Sequence, residues 1–163
     1  MIKVGIITAS DKGSQGLRED ISGVVIKDKI TEKGYKMERY IMLPDDIDQL
    51  SEEMINMADV VGVDLILTTG GTGFSKRDVT PEATQKIWER EAQGIAEAIR
   101  YYSLGITPRA MLSRGVAGIR GNTLIINLPG SPKAVREILD YILDSVDHGI
   151  KILTGKESEC AVK

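Results

Sequence analysis

Four short runs rich in Val, Ile, Leu or Met, at residues 2–8, 37–43, 64–69 and 123–128, each end in turn residues and are separated by stretches with helical periodicity. Short apolar runs without alternation mark strands buried on both faces, the usual state of strands in a parallel sheet. Helical patterns fall at about 20–33, 47–60 and 81–103, the last expected to break near Gly94, and a further helix is expected over about 132–153. Strand and helix in alternation predict an α/β fold: three layers, α/β/α, around a mostly parallel open sheet. One segment departs from the alternation. Val116-Ala117-Gly118-Ile119 comes only a few residues before the run 123–128, with Gly121-Asn122 between them as a hairpin turn, so one antiparallel edge strand is expected there.

In an open parallel sheet the loops that leave the strands' carboxyl ends gather at one edge, where ligands bind at the topological switch point. Here those loops carry Ser10-Asp11, Pro44-Asp45-Asp46, the stretch from Gly70 to Asp78, and Pro129-Gly130-Ser131-Pro132-Lys133. The third is the richest. Thr69-Gly70-Gly71-Thr72-Gly73 offers backbone N–H groups to an anion and lets a phosphate approach where a side chain would collide, and Lys76-Arg77-Asp78 adds charges that a plain turn does not need. Thr80 as N-cap and Pro81 at the first helical position would aim a positive helix end at the same loop. Ser131 and Pro132 repeat that arrangement before the last helix, with Lys133 as a candidate ligand, and Asp46 is placed to cap the helix that follows it.

Several chemistries are poorly supplied. The pattern G-x-x-x-x-G-K-[ST] is absent, and Gly70 to Gly73 lacks the third glycine of the dinucleotide fingerprint. One His and one Cys argue against a structural zinc, a Cys–His dyad and a Ser-His-Asp triad. His148, in the last helix and far from the loops, reads as a structural or surface residue; Cys160 reads as a tail residue and permits no internal disulfide, which suits a reducing compartment. What remains is carboxylates, amides, hydroxyls and a few cations, the groups that serve phosphoryl or nucleotidyl transfer with Mg²⁺.

The 163 residues suit a single domain over 1–163, and a net charge of -3 with 28% charged residues suggests no broad affinity for nucleic acid, so any anion site must be local. No apolar run approaches the roughly 20 residues that span a bilayer, and the start of the chain is too short for a secretion signal. No membrane partner and a cytoplasmic location are expected. Trp88, Tyr101 and Tyr102 are expected to pack in the core or a subunit interface, and Glu89-Arg90-Glu91 to form a solvated helix face.

Taken together, Thr69-Gly70-Gly71-Thr72-Gly73, Arg77-Asp78-Val79-Thr80-Pro81-Glu82-Ala83-Thr84, Met111-Leu112-Ser113-Arg114 and Asn127-Leu128-Pro129-Gly130-Ser131-Pro132-Lys133 resemble the MogA/MoaB family of molybdenum-cofactor biosynthesis, and the likeness runs from Val4 to about Leu153. The resemblance implies a MoaB/Mog-type domain, a homotrimer, and transfer of AMP from ATP to the terminal phosphate of molybdopterin, with Mg²⁺ as cofactor and hand-over of the product to a molybdenum insertase. By matching motif it implies that Asp45 and Asp78 are the functional aspartates, holding Mg²⁺ and orienting phosphates. Ser113 matches a serine that looks important for the pterin or the adenylylated product, and Arg114 is placed to neutralise a phosphate. Ser10 and Asp11 fall at the same edge and are assigned to the substrates with Thr69, Gly70, Gly71, Thr72, Gly73, Pro129, Gly130, Ser131 and Lys133. Two other readings stand beside this one: a non-catalytic molybdopterin-binding or carrier protein of the MoaB type, and an unrelated phosphate-binding enzyme with a similar crevice.

Overall fold

A computed structural model describes residues 1–156, so Cys160 lies outside the described residues. Six strands form one sheet in the order β2-β1-β3-β6-β5-β4. β1 (Lys3–Ala9), β2 (Lys36–Leu43), β3 (Leu65–Thr69) and β6 (Thr123–Leu128) are mutually parallel and coincide with the four apolar runs. β5 (Ala117–Arg120) is antiparallel to β6 across the Gly121-Asn122 turn, as its short spacing requires.

Side chains on the central strands alternate between two cores, the period-2 consequence of strand geometry. Val4, Ile6, Leu65, Leu67, Leu124 and Ile126 face one layer, where they meet Val25, Ile26 and Ile30 of α2 (Ile21–Glu32), Ile99 of α5 (Gln93–Leu104) and the apolar stripe of α6 (Pro132–Leu153). That stripe, Val135, Ile138, Leu139, Ile142, Leu143, Val146 and Ile150, recurs every three or four residues and is what holds the 22-residue helix on the sheet. Ile7, Ala9, Ile66 and Ile125 face the other layer, against Leu50 and Met54 of α3 (Ile47–Ile55) and Ala83 and Ile87 of α4 (Thr80–Ile87). Each fully buried aliphatic side chain contributes about 1.5–3 kcal/mol, so the two cores fix the strands, and thereby the loops at their carboxyl ends. Among the described residues no helix is long and apolar enough to cross a membrane.

Four local expectations need correction. A short helix, α1 (Asp11–Ser14), follows β1 and is capped by Ser10, whose Oγ accepts from the Gly13 N–H at 3.0 Å. The helix expected over 47–60 ends as α at Ile55 and continues as a π-helical turn, Asn56–Val61, stopped by Gly62. The helix expected over 81–103 breaks at 88–92 rather than at Gly94, which lies in the first turn of α5. There Arg90–Glu91 form β4, antiparallel to β5 and outermost in the sheet, so Glu89-Arg90-Glu91 is not a helix face. The physical reason lies in Trp88: its ring packs over Gly118, where a Cβ would overlap the indole, and this pulls the chain into extended backbone beside β5. Tyr102 stacks on Tyr141 of α6 with ring centroids 4.4 Å apart, whereas Tyr101 is exposed and is no core residue. His148 sits on the exposed side of α6.

Candidate functional site

Two cavities open at the carboxyl edge of the sheet, one on each side of the glycine loop. The larger, about 550 Å³, is lined by Ser10, Asp45, Thr69, Gly70, Gly71, Asp78 and Gly130 among the residues singled out in the sequence. The smaller, about 290 Å³, is lined by Thr72, Gly73, Ser113 and Pro129 together with the largely apolar wall of Ile99, Leu112 and Ile138 and the cations Arg100 and Arg109. Asp11, Arg114, Ser131 and Lys133 line neither.

The glycine loop is held by groups that sequence reading assigned otherwise. Thr80 does not cap α4. Its N-terminal neighbour Val79 occupies that position without a side-chain bond, while the Thr80 hydroxyl donates to the Gly70 carbonyl at 2.9 Å and its N–H to the Gly71 carbonyl at 3.1 Å. Thr69 ties the third loop to the fourth by donating to the Pro129 carbonyl at 2.7 Å. Gly71 has φ +66°, and a Cβ there would overlap Thr80 Oγ1 and come within 3.0 Å of Asp45 Oδ1; a Cβ on Gly70 would overlap the Ala9 carbonyl. Glycine is thus required at both positions by backbone approach as well as by conformation.

Arg114 is a brace. Its guanidinium donates to the Gly73 carbonyl at 2.7 Å, to the Asp78 carbonyl at 2.7 Å and to the Glu82 carboxylate, and its backbone N–H donates to the Thr72 carbonyl at 2.8 Å. These bonds lock the loop's far end and leave the side chain committed to protein partners, in place of the phosphate suggested by its sequence context. Arg114 in turn holds the Glu82 carboxyl below the ordinary range by hydrogen bonding, against a smaller opposing effect of burial. Ser131 caps α6 as expected, accepting from the Ala134 N–H at 3.4 Å. Lys133 runs along α6 to Glu137 at 3.8 Å with its side chain 79% exposed.

The aspartates differ in what is left over after their structural bonds. Asp46 caps α3 by accepting from the Gln49 N–H at 2.9 Å. Asp78 Oδ2 accepts from the Ser75 N–H at 3.1 Å and lies 2.9 Å from where a Gly73 Cβ would be. Asp11 and Asp45 exchange two bonds: the Asp11 N–H donates to Asp45 Oδ2 and the Asp45 N–H to Asp11 Oδ1, both at 3.0 Å. Asp45 Oδ1 remains, the buried side-chain polar atom without a hydrogen-bond partner among the described residues. Burial pushes the Asp45 carboxyl above the ordinary range, helped by the negative charges of Asp11 and Asp78, while the Asp11 N–H and the Arg77 charge oppose the shift. A buried carboxylate oxygen that lacks a donor costs stability and calls for a cation or a donor from a ligand. Among the described residues no three His, Cys, Asp or Glu side chains form a metal-ligand set. A pair of carboxylates nevertheless suits Mg²⁺, which keeps waters and takes its other ligands from substrate phosphates.

The larger cavity also contains residues that sequence reading missed. Asp20 caps α2 through the Gly23 N–H at 2.8 Å and accepts from the hydroxyls of Thr8, at 2.7 Å, and Tyr40. Ser22 donates to the Gly130 carbonyl at 2.7 Å, joining the start of α2 to the fourth loop. Arg18 also lines the cavity. The capping role of Asp20 was legible as an acidic residue just before a helical pattern, but nothing in the sequence marks Arg18 or Ser22 as cavity residues.

Residues 5–148 match the model of the family described as a probable molybdopterin binding domain. The molybdopterin adenylyltransferase of Helicobacter pylori is 40% identical over 158 residues, which cover 94% of this chain and 89% of that protein. Gephyrin of Dictyostelium discoideum is 44% identical over 94% of this chain, a match that spans only 23% of gephyrin. Among solved structures, the molybdopterin biosynthesis enzyme MoaB of Thermus thermophilus superposes with a TM-score of 0.90 at 46% identity, covering 95% of this chain and 98% of that one.

Proposed function

The chain belongs to the MogA/MoaB-type family of molybdopterin-binding domains, and from that premise we propose that it is a molybdopterin adenylyltransferase of molybdenum-cofactor biosynthesis. An oxygen of molybdopterin's terminal phosphate attacks the α-phosphorus of ATP. The bond from that phosphorus to the bridging oxygen of the β-phosphate breaks in line, giving adenylylated molybdopterin and pyrophosphate. The observation that carries the site assignment is Asp45 Oδ1, buried, unpartnered and set against Gly71 in the larger cavity.

Asp45 and Asp78 would hold Mg²⁺ in that cavity. Bound there, the ion neutralises phosphate charge and favours departure of pyrophosphate. Gly70 and Gly71 let the triphosphate approach the backbone, and Ser10, whose Oγ is committed only as the acceptor of a cap bond, offers a hydroxyl proton beside it. The smaller cavity, with its apolar wall, Ser113 and two arginines, suits the flat pterin of the second substrate. The glycine loop then lies between the two, where the reacting phosphates would meet, so catalysis is largely positioning and charge stabilisation.

The same reading includes one Mog-type domain over the chain, a cytoplasmic location, a homotrimer, and hand-over of the product to a molybdenum insertase. A trimer is supported by exposed apolar residues close in sequence, Leu104, Ile106, Met111 and Leu112, at the end of α5 and the 3₁₀ turn Pro108–Leu112. Hand-over is supported by the gephyrin match, in which a segment like this chain is part of a much longer protein.

The test is Mg²⁺-dependent pyrophosphate release from ATP under anaerobic conditions, with and without molybdopterin, for the wild type and Asp78→Asn. Molybdopterin-dependent release that the substitution removes is the expected result. No release from the wild type, with pterin binding demonstrated, would refute adenylyl transfer and leave a binding or carrier role.

A further inference from the structure

Arg77 lines neither cavity, yet it reaches Asp45 through a single intervening side chain. Its guanidinium grips Asp11 with two prongs: Nε–H donates to Oδ2 at 3.0 Å and Nη2–H to Oδ1 at 2.9 Å. The gripped Asp11 Oδ1 also accepts the Asp45 backbone N–H, and Asp45 Oδ2 is occupied in turn by the Asp11 backbone N–H, both at 3.0 Å. The chain of contacts joins the loops that follow β1, β2 and β3, and its last atom is the unpartnered Asp45 Oδ1.

As a source of stability this ion pair is weak. The Arg77 side chain is 63% exposed and that of Asp11 35%, and exposed pairs contribute little to stability. As an orienting device it is strong, because a two-pronged Arg–carboxylate contact fixes both the place and the plane of the carboxylate. Lysine, a single point of charge, cannot do the same.

We infer that Arg77 is a positioning residue: it fixes the Asp11 carboxylate that holds the Asp45 N–H, and so sets the placement of Asp45, whose side chain lines the nucleotide cavity. The inference rests on the proposed adenylyl transfer for its kinetic consequences, but not for its structural one. Arg77 touches neither substrate in this scheme. Its loss therefore acts on turnover and leaves both substrates' binding in place.

Arg77→Met should lower kcat about ten- to a hundredfold, the scale of a misplacement near 1 Å, with KM for ATP and molybdopterin within about twofold of wild type and little change in Tm. Arg77→Lys should recover only part of the loss. Asp11→Asn keeps the backbone exchange with Asp45 but loses the charged grip, so it should match Arg77→Met, and the double variant should lose no more than either single one. A normal kcat in Arg77→Met, additive losses in the double variant, or a raised KM at unchanged kcat would overturn the inference, the last by making Arg77 a direct ligand. Crystal structures of the wild type and Arg77→Met decide the point independently of activity. A rotated or doubly placed Asp45 carboxylate in the variant is expected, and an unmoved one refutes the positioning role even if the wild type transfers no adenylyl group.

Discussion

Substituting Gly71 by alanine tests the glycine loop and the aspartate beside it in one step. At φ +66° an alanine pays the left-handed strain that glycine avoids, about 1–2 kcal/mol. The added Cβ also overlaps Thr80 Oγ1, which must swing away from the Gly70 carbonyl it now meets at 2.9 Å. That removes a hydrogen bond with a net value of about 1 kcal/mol, and residual overpacking adds about 1–3 kcal/mol. The sum, about 3–6 kcal/mol, lowers Tm by about 6–24 °C for a chain of this length, yet leaves most molecules folded at room temperature if total stability is ordinary. The Cβ also fills the space through which a triphosphate would approach the loop backbone, so ATP affinity should fall at least tenfold, about 1.4 kcal/mol. Gly34→Ala is the control. It has φ +79° with nothing within 4 Å of the added carbon, so it carries the strain alone, with a Tm shift about half as large or less and unchanged ATP binding. Thermal unfolding and calorimetric titration with ATP and Mg²⁺ read both quantities. Equal Tm shifts in the two variants, or undiminished ATP affinity in Gly71→Ala, would refute the reasoning, and Gly71→Val should abolish ATP binding outright.

Two further outcomes follow from contacts outside the cavity. Arg114 holds Glu82 below its ordinary range, so the pair stabilises the fold above that range and the contribution disappears as pH falls through the lowered value. The Tm advantage of wild type over Glu82→Gln should be small, because both side chains are partly exposed, and should close below about pH 4; a difference constant from pH 8 to pH 3 would count against the pair. For the proposed trimer, sedimentation should give three times the chain mass for the wild type and the monomer mass for Met111→Glu, which places a charge on the exposed apolar run; a monomeric wild type would sink the trimer.

The sheet was legible because its information is local. Each central strand is buried on both faces, and an uninterrupted run such as Leu65-Ile66-Leu67 states that in the sequence itself. Reversal of β5 was legible for a similar reason: too few residues separate it from β6 for a crossover. β4 was not, because two charged residues carry no strand pattern, and what places them is Trp88 seated on Gly118, thirty positions away. Polar partners across the fold are the general case of this blindness. Thr80 before Pro81 has the form of a helix cap, yet its hydroxyl goes to a carbonyl ten residues earlier, and any residue there would present the same carbonyl.

The aspartates make the limit sharper. Asp11, Asp20, Asp45, Asp46 and Asp78 all lie at the carboxyl edge of the sheet, and residue type alone does not tell which of them is free for a metal or phosphate. What separates them is subtraction. Asp46 is committed to a helix cap, Asp20 to an amide and two hydroxyls, and Asp11 to Arg77 and the Asp45 N–H. Asp78 has one bond, from the Ser75 N–H, and Asp45 retains a buried oxygen with none. The two aspartates that the family resemblance selects are thus the two with capacity to spare, a property no motif records because it is defined by the partners of every other aspartate at the edge. Chemical function at such an edge belongs to the carboxylate that the fold leaves unsatisfied, since there a ligand or cation recovers a desolvation cost that the protein has not already offset.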